Sequence, residues 1–138
     1  QAMYEVFEHT ADLGLRIRAA TLEALFADAA RGLGAVITGD LAQIRPTSEE
    51  RFVIAGTDPV WLLYDLVGEV HAAFELRRML FCDFQVSRDA TGLQVVARGE
   101  PYDPAVHTLA HEVKAITQHE LDVRHDAAGW EATVIVDI

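Results

Sequence analysis

The chain of 138 residues is long enough to bury a core by itself, and we expect a single domain over residues 1–138. Hydrophobic residues make up 51% of it, which excludes a disordered chain, and no apolar run reaches the roughly 20 residues that a membrane span needs. The 22 acidic and 11 basic residues give a formal net charge of −11, which argues against tight, direct binding to RNA or DNA. Docking on a basic protein is compatible with this charge.

Two details of the sequence bear on its origin and compartment. Gln1 and Ala2, ahead of Met3, are interpreted as a cloning remnant, and the N-terminus shows no basic-then-apolar signal peptide. Cys82 is the one cysteine, so an internal disulfide and a multi-cysteine zinc site are excluded. These features predict a protein of the reducing cytoplasm.

The first third of the chain predicts two strands and a helix. An apolar run predicts a short strand over residues 3–7. Residues 13–19 alternate between apolar and polar side chains, which predicts a half-buried strand with its two arginines on the outer face. Thr21 is predicted to cap a helix, and the glycines at positions 32 and 34 are predicted to end it.

The middle of the chain predicts a strand, a second helix and a hairpin. Residues 51–55 form the strand, after a polar loop. Asp58, followed by a proline, is a start signal for a helix that we expect to run to about Leu76. The strand-like segments 80–86 and 93–98 flank turn-forming residues, which predicts the hairpin.

The last third predicts a loop and a second hairpin. Residues 102–108 contain a proline and are expected to form the loop. Segments 112–124 and 130–138 alternate on either side of a turn. Four side chains of the first segment are expected to share one face: Ala115, Thr117, His119 and Leu121. Helices and mostly antiparallel strands in this order indicate an α+β fold, a two-layer domain with two main helices.

The common enzyme signatures are absent. The glycine pair at 32 and 34 lacks the third glycine of a dinucleotide loop, and His111-Glu112 lacks the second histidine of a zinc-protease helix. Cys82 is interpreted as a small buried apolar residue and not as a nucleophile. His107 and His111, four residues apart, would share a face as metal ligands if their segment were helical. The alternative is that both are loop and surface histidines.

Two polar constellations suggest a function. The first is His9-Thr-Ala-Asp12, directly after an apolar strand, although threonine and aspartate also satisfy turn amides. The second is Asp137 beside the carboxylate of Ile138, which places two negative charges at the end of a strand. A calcium or magnesium ion would offset their repulsion, and the alternative is a solvated chain end. If the first strand lies beside the last, Asp12 becomes a third acidic ligand.

Five blocks of the sequence, in order, resemble the archease family. They are residues 4–14 (YEVFEHTADLG), 21–30 (TLEALFADAA), 99–103 (GEPYD), 113–119 (VKAITQH) and 134–138 (VIVDI). They span essentially the whole chain, whereas residues 40–95 match only loosely. The resemblance implies an SHS2-like archease fold.

The resemblance also implies a function. Archeases are chaperone-like protein cofactors, not enzymes, of the RtcB-type RNA ligase of tRNA splicing and RNA repair. They promote guanylylation of the ligase and multiple turnover. Carried over by position, the divalent-cation site would be Asp12, Asp137 and the terminal carboxylate of Ile138. Lys114 and His9 would be functional residues, and no residue of the chain would be catalytic.

Two other functions stay open at this point. Asp12, Asp137 and His9 around a cation would suit a stand-alone metal-dependent phosphoester hydrolase. The second open function is that of a plain assembly module that binds an ion incidentally. For Lys114, the open roles are a contact to a phosphate, a contact to an acidic group of the ligase, or pairing with a neighbouring carboxylate of this chain.

Overall fold

The structure, a computed structural model, describes residues 3–9 and 12–138, with Glu8 and His9 described by their backbone only. Gln1, Ala2, Thr10 and Ala11 lie outside the described residues, so the interpretation of the first two as a cloning remnant remains untested. The regular elements are β1 (Met3–His9), β2 (Asp12–Ala19), α1 (Leu22–Thr38), a short 3-10 helix (Leu41–Gln43), β3 (Ser48–Ala55), α2 (Pro59–Arg77), β4 (Met79–Asp89), β5 (Gly92–Pro101), β6 (Ala115–Ile116), β7 (Asp122–Asp126) and β8 (Gly129–Asp137).

The strands form two sheets, and every pairing among the described residues is antiparallel. The larger sheet has the order β1-β2-β8-β6, with β7 also paired to β8, and the smaller sheet has the order β3-β5-β4. Each helix contacts strands of both sheets. The α+β class with two main helices is therefore confirmed, whereas the division of the strands into two sheets was not predicted.

The strand β2 follows its predicted alternation. Leu13, Leu15, Ile17 and Ala19 are buried, and the intervening arginines lie on the other face. The strand β1 continues past the predicted end at residue 7, so that His9 stands opposite Asp12 in the β1–β2 pair. His9 and Asp12, expected in a turn, are thus strand residues, and Thr10 and Ala11 between them lie outside the described residues.

The prediction for the end of α1 is wrong. Thr21 caps the helix as expected, accepting a bond from the Ala24 amide, but the helix continues to Thr38 and ends at the left-handed Gly39. Gly32 and Gly34 instead allow close packing. A Cβ at Gly34 would lie 2.9 Å from the carbonyl oxygen of Phe81, so a larger residue would push the helix away from β4.

The middle elements agree with prediction. Asp58 caps α2, with its side chain accepting a bond from the Val60 amide, and the helix ends at Arg77. The hairpin of β4 and β5 has the predicted turn, with Asp89 opposite Gly92. The strand β3 begins at Ser48, earlier than predicted.

The C-terminal hairpin differs from prediction, because residues 112–124 are not one strand. Two short strands, β6 and β7, pair with different parts of β8, and residues 118–121 leave the sheet between them. Glu120 has a positive φ of 55°, and the Leu121 amide bonds to the Gln118 carbonyl in a turn. The predicted common face of four alternating side chains therefore does not extend through this turn.

No helix in the described part of the chain is long and apolar enough to cross a membrane.

Of the predicted loop and surface histidines, His111 is exposed, but His107 is buried. The helical alternative for this pair is wrong, since residues 102–114 form no helix.

Candidate functional site

Two of the predicted site residues meet at one end of the larger sheet. Asp12 begins β2 and Asp137 ends β8, and the two are direct partners in the β2–β8 register. Directly opposed residues of an antiparallel pair project from the same face, with Cβ atoms about 4.5–5.5 Å apart. The strand beside β8 is thus β2 and not the first strand, β1, and Asp12 nevertheless lies beside Asp137.

The two carboxylates have no partner in the part of the chain that the structure describes. Both residues are half-buried, and among the described residues neither side chain makes an ion pair or a hydrogen bond. Like charges directly opposite each other destabilise a sheet. Hard oxygen ligands of this kind fit calcium or magnesium, and a bound cation would remove the repulsion.

Ile138 and Lys114 adjoin this acidic pair. Ile138 follows Asp137 directly and is half-buried against the core. The Lys114 amide donates to the Asp137 carbonyl oxygen at 2.8 Å, immediately before β6. The lysine side chain is exposed and forms no ion pair with any described residue. Continuing the β6–β8 register places Lys114 opposite Ile138.

The described side chains do not form a complete group of metal ligands. Within residues 3–9 and 12–138, no group of three or more His, Cys, Asp or Glu side chains is arranged to hold a metal ion. The predicted metal ligands are two aspartate side chains and a terminal carboxylate, so they include two such side chains and not three. The side chain of His9 lies outside the described residues, although its backbone stands opposite Asp12.

A second polar cluster was missed by sequence reasoning. Glu100 is buried and accepts bonds from the Arg45 amide at 2.8 Å and from the guanidinium of the same residue at 3.2 Å. His107, also buried, accepts a bond from the Asp103 amide at Nδ1, so its Nε2–H donates to Glu100 at 2.8 Å. The cluster ties the loop after β5 to the core. The hydrophobic periodicity around Glu100 and His107 gives no sign of this pairing.

These hydrogen bonds favour the ionised form of Glu100, which stabilises the folded protein. The amide of Arg45, followed by the His107 ring, lowers the pKa of the Glu100 carboxyl below its ordinary value. A carboxyl whose pKa is lower in the folded state stabilises the protein above its unfolded-state pKa, and this contribution is lost as pH falls through the lowered value.

Glu100→Gln is therefore expected to lower the free energy of unfolding at neutral pH by about 2 kcal/mol, as is typical when a buried bonded charge is replaced. The deficit relative to wild type should shrink as the pH falls into the acid range. Urea unfolding at several pH values measures it, with the exposed Glu112→Gln as the matched control. Equal stability of the Glu100 and Glu112 variants at neutral pH would contradict a stabilising role for this cluster.

Comparison with known proteins places this α+β fold in a defined class. The model of the Archease protein family matches residues 4–138. The chain is 42% identical to the protein archease of Methanopyrus kandleri, covering 98% of this chain and 99% of that protein. It is 34% identical to the protein archease of Saccharolobus solfataricus, covering 98% of each. The chain belongs to the archease family, as its five sequence blocks predicted.

Solved structures agree with the fold. The solution structure of protein 1598 of Methanobacterium thermoautotrophicum is similar with a TM-score of 0.84 and 32% identity, over 98% of each chain. The crystal structure of an archease from Thermotoga maritima, described as a possible chaperone, is similar with a TM-score of 0.69 and 21% identity, over 97% of this chain and 96% of that one. The expected archease fold is confirmed.

Proposed function

We propose that this protein is not an enzyme but a cytoplasmic, chaperone-like cofactor that activates an RtcB-type RNA ligase in tRNA splicing and RNA repair. In this role it promotes guanylylation of the ligase and multiple turnover. Membership of the archease family supports the proposal. The description of the Thermotoga maritima archease as a possible chaperone is consistent with an action on another protein.

The observation that carries the proposal is the acidic pair of Asp12 and Asp137 at one end of the larger sheet. Asp12 and Asp137 face each other across two strands with no cationic partner among the described residues. With the terminal carboxylate of Ile138, they would hold a calcium or magnesium ion. Such a cation offsets charge that develops on phosphate oxygens, which is the chemistry that a guanylyl transfer needs.

Lys114 and His9 complete the proposed surface. The exposed Lys114 side chain forms no ion pair with a described residue, which favours its contact with an anionic group of the ligase or a phosphate over pairing within this chain. His9 lies opposite Asp12 in the backbone register. Both residues therefore adjoin the acidic end of the sheet, where the ligase would dock.

The decisive experiment compares single- and multiple-turnover ligation by a cognate RtcB-type ligase, with and without this protein. RNA ends with a 2′,3′-cyclic phosphate and a 5′-hydroxyl serve as substrates, with GTP and a divalent cation present. We expect the protein to speed guanylylation of the ligase and to convert a single round of ligation into many. Unchanged guanylylation and unchanged turnover would contradict the proposal.

A control experiment without ligase tests the hydrolase alternative. The protein by itself is incubated with the RNA ends, GTP and a generic phosphoester, in calcium or magnesium. We expect no turnover, since the proposed role of the protein is to activate the ligase and not to cleave phosphoesters itself. Turnover without ligase would show that the protein is a metal-dependent hydrolase and not an activator.

Binding of the free protein to RNA is expected to be weak. The net charge of −11 leaves few cations for phosphate contacts, and most of the arginines are held in ion pairs with acidic residues. Fluorescence anisotropy with a labelled RNA at physiological salt measures this affinity. A submicromolar dissociation constant would show instead that the protein binds RNA directly.

A further inference from the structure

A groove of about 390 Å³ lies between the C-terminal end of α2 and residues 109–113. Its floor is apolar, since Ile37, Phe74 and Val113 are buried side chains that line it. A volume of this size is within the range of ligand-binding clefts, about 300–1,000 Å³. Neither aspartate of the acidic pair lines the groove, although its lining residue Val113 directly precedes Lys114.

Arg78 is the distinctive side chain of this groove. Its guanidinium lies over the Phe74 ring, 4.7 Å from the ring centroid. The other nine arginines of the chain each form an ion pair, but the Arg78 side chain has no ion-pair or hydrogen-bond partner among the described residues. A guanidinium stacked on an aromatic ring keeps its edge of N–H donors free, and this edge fits a carboxylate through two parallel hydrogen bonds.

The backbone of Arg78 gives no reason for an arginine. The residue caps α2 in the left-handed conformation, with φ of 53° and ψ of 38°, where glycine is favoured. Its amide donates to the Phe74 carbonyl, and its carbonyl accepts from the Tyr102 amide, as a glycine would do equally well. An arginine here carries a conformational cost that glycine avoids, which points to a use of the side chain.

The surroundings favour a protein segment over a small molecule. Leu109 lines the groove and is 42% exposed, and the exposed Ala110 follows it in the lining. An apolar lining that continues from a buried floor to exposed side chains is typical of interaction surfaces. Glu75 and Glu112 also line the groove and would repel the continuous negative charge of a nucleic acid, whereas a single carboxylate would meet Arg78.

We propose that this groove binds a segment of a partner protein in which an aliphatic or aromatic side chain stands next to an acidic one. The apolar side chain fills the groove over Phe74 and Val113. The neighbouring carboxylate pairs with the guanidinium of Arg78. This binding does not depend on ligase activation, and its test needs no ligase.

The test selects peptides on the whole protein from a phage-displayed random heptapeptide library. We expect enriched peptides with Asp or Glu adjacent to an aliphatic or aromatic residue. A selected peptide, made synthetically with a fluorescent label, should lose at least tenfold in affinity for Arg78→Gly and when its own acidic residue becomes an amide. Glycine suits the left-handed position, so this variant should fold and melt at or above the wild-type temperature.

Arg88→Gln is the matched control, because it removes an exposed arginine near the end of β4 that is opposite to Arg78, and it should leave peptide affinity unchanged. Backbone NMR shifts on titration should map to α2 and residues 109–113. Three outcomes overturn the proposal: no enriched acidic-apolar peptide, equal affinity for wild type and Arg78→Gly, or shifts in the groove with a short RNA but not with the peptides. Ligase activation is measured separately, so failure here leaves the proposed function untouched.

Discussion

Asp12→Asn is expected to abolish activation of the ligase while the protein stays folded. The strand β2 is held through its backbone pairs and through buried side chains such as Leu13 and Leu15, and the Asp12 side chain bonds to no described residue. The amide removes one of two facing charges. We therefore expect the metal-free variant to melt at the wild-type temperature or slightly higher, since opposed like charges cost a few tenths of a kcal/mol to about 1 kcal/mol.

The response to a divalent cation separates this effect from a general loss of structure. A cation at 100 times its dissociation constant stabilises the folded protein by about 2.7 kcal/mol, which raises the melting temperature of wild type. Asp12→Asn should show no such rise in calcium or magnesium. Asp65→Asn, the same change at an exposed position on α2, is the control and should keep both the rise and the activation. Normal activation by the Asp12→Asn variant would show that Asp12 is not part of the functional site.

Blocking the carboxylate of Ile138 is expected to weaken cation binding by at least tenfold, equivalent to about 1.4 kcal/mol. A C-terminal tag converts this carboxylate into a neutral amide and adds bulk beside Asp137. Cation affinity depends on the number and geometry of charged oxygens, so activation should fall with it. Calorimetric titration of calcium and magnesium into both forms measures the difference, with an N-terminally tagged protein as the control of equal bulk.

Deletion of Ile138 tests the geometry of the same ligand. It would move the free carboxylate onto Asp137, about 3.3 Å back along the strand. The structure adds that Ile138 packs against the core, so this deletion also removes apolar contacts and should lower the metal-free melting temperature. The tag is therefore the cleaner variant. Equal cation affinity of the free and the tagged ends would show that the carboxylate is not a ligand.

Local signals were sufficient for most elements. The alternation in β2, the Thr21 and Asp58 caps and the hairpin turn at Gly92 each depend on residues within a few positions of one another. Such patterns fix local backbone preferences before any packing occurs. The five family blocks likewise identified the archease family, since they depend only on order and spacing in the chain.

Packing decided where those local rules failed. Gly34 would end an isolated helix, but in α1 it permits close approach to the backbone of β4 at Phe81. The turn around Glu120 interrupts a sequence that alternates like one strand. His107 is a loop residue whose burial depends on Glu100, a partner that no local pattern indicates.

For the candidate site, the sequence by itself determined the residue types and their local setting: an aspartate at the start of one strand, and another next to the last residue. Only the tertiary structure decided that the two strands are neighbours, with Asp12 opposite Asp137 and the Lys114 amide bonded to the Asp137 carbonyl. The same holds for Arg78, which the sequence shows only as one of two adjacent arginines. The physical reason is that strand order and groove formation depend on contacts between distant parts of the chain, which residue spacing does not encode.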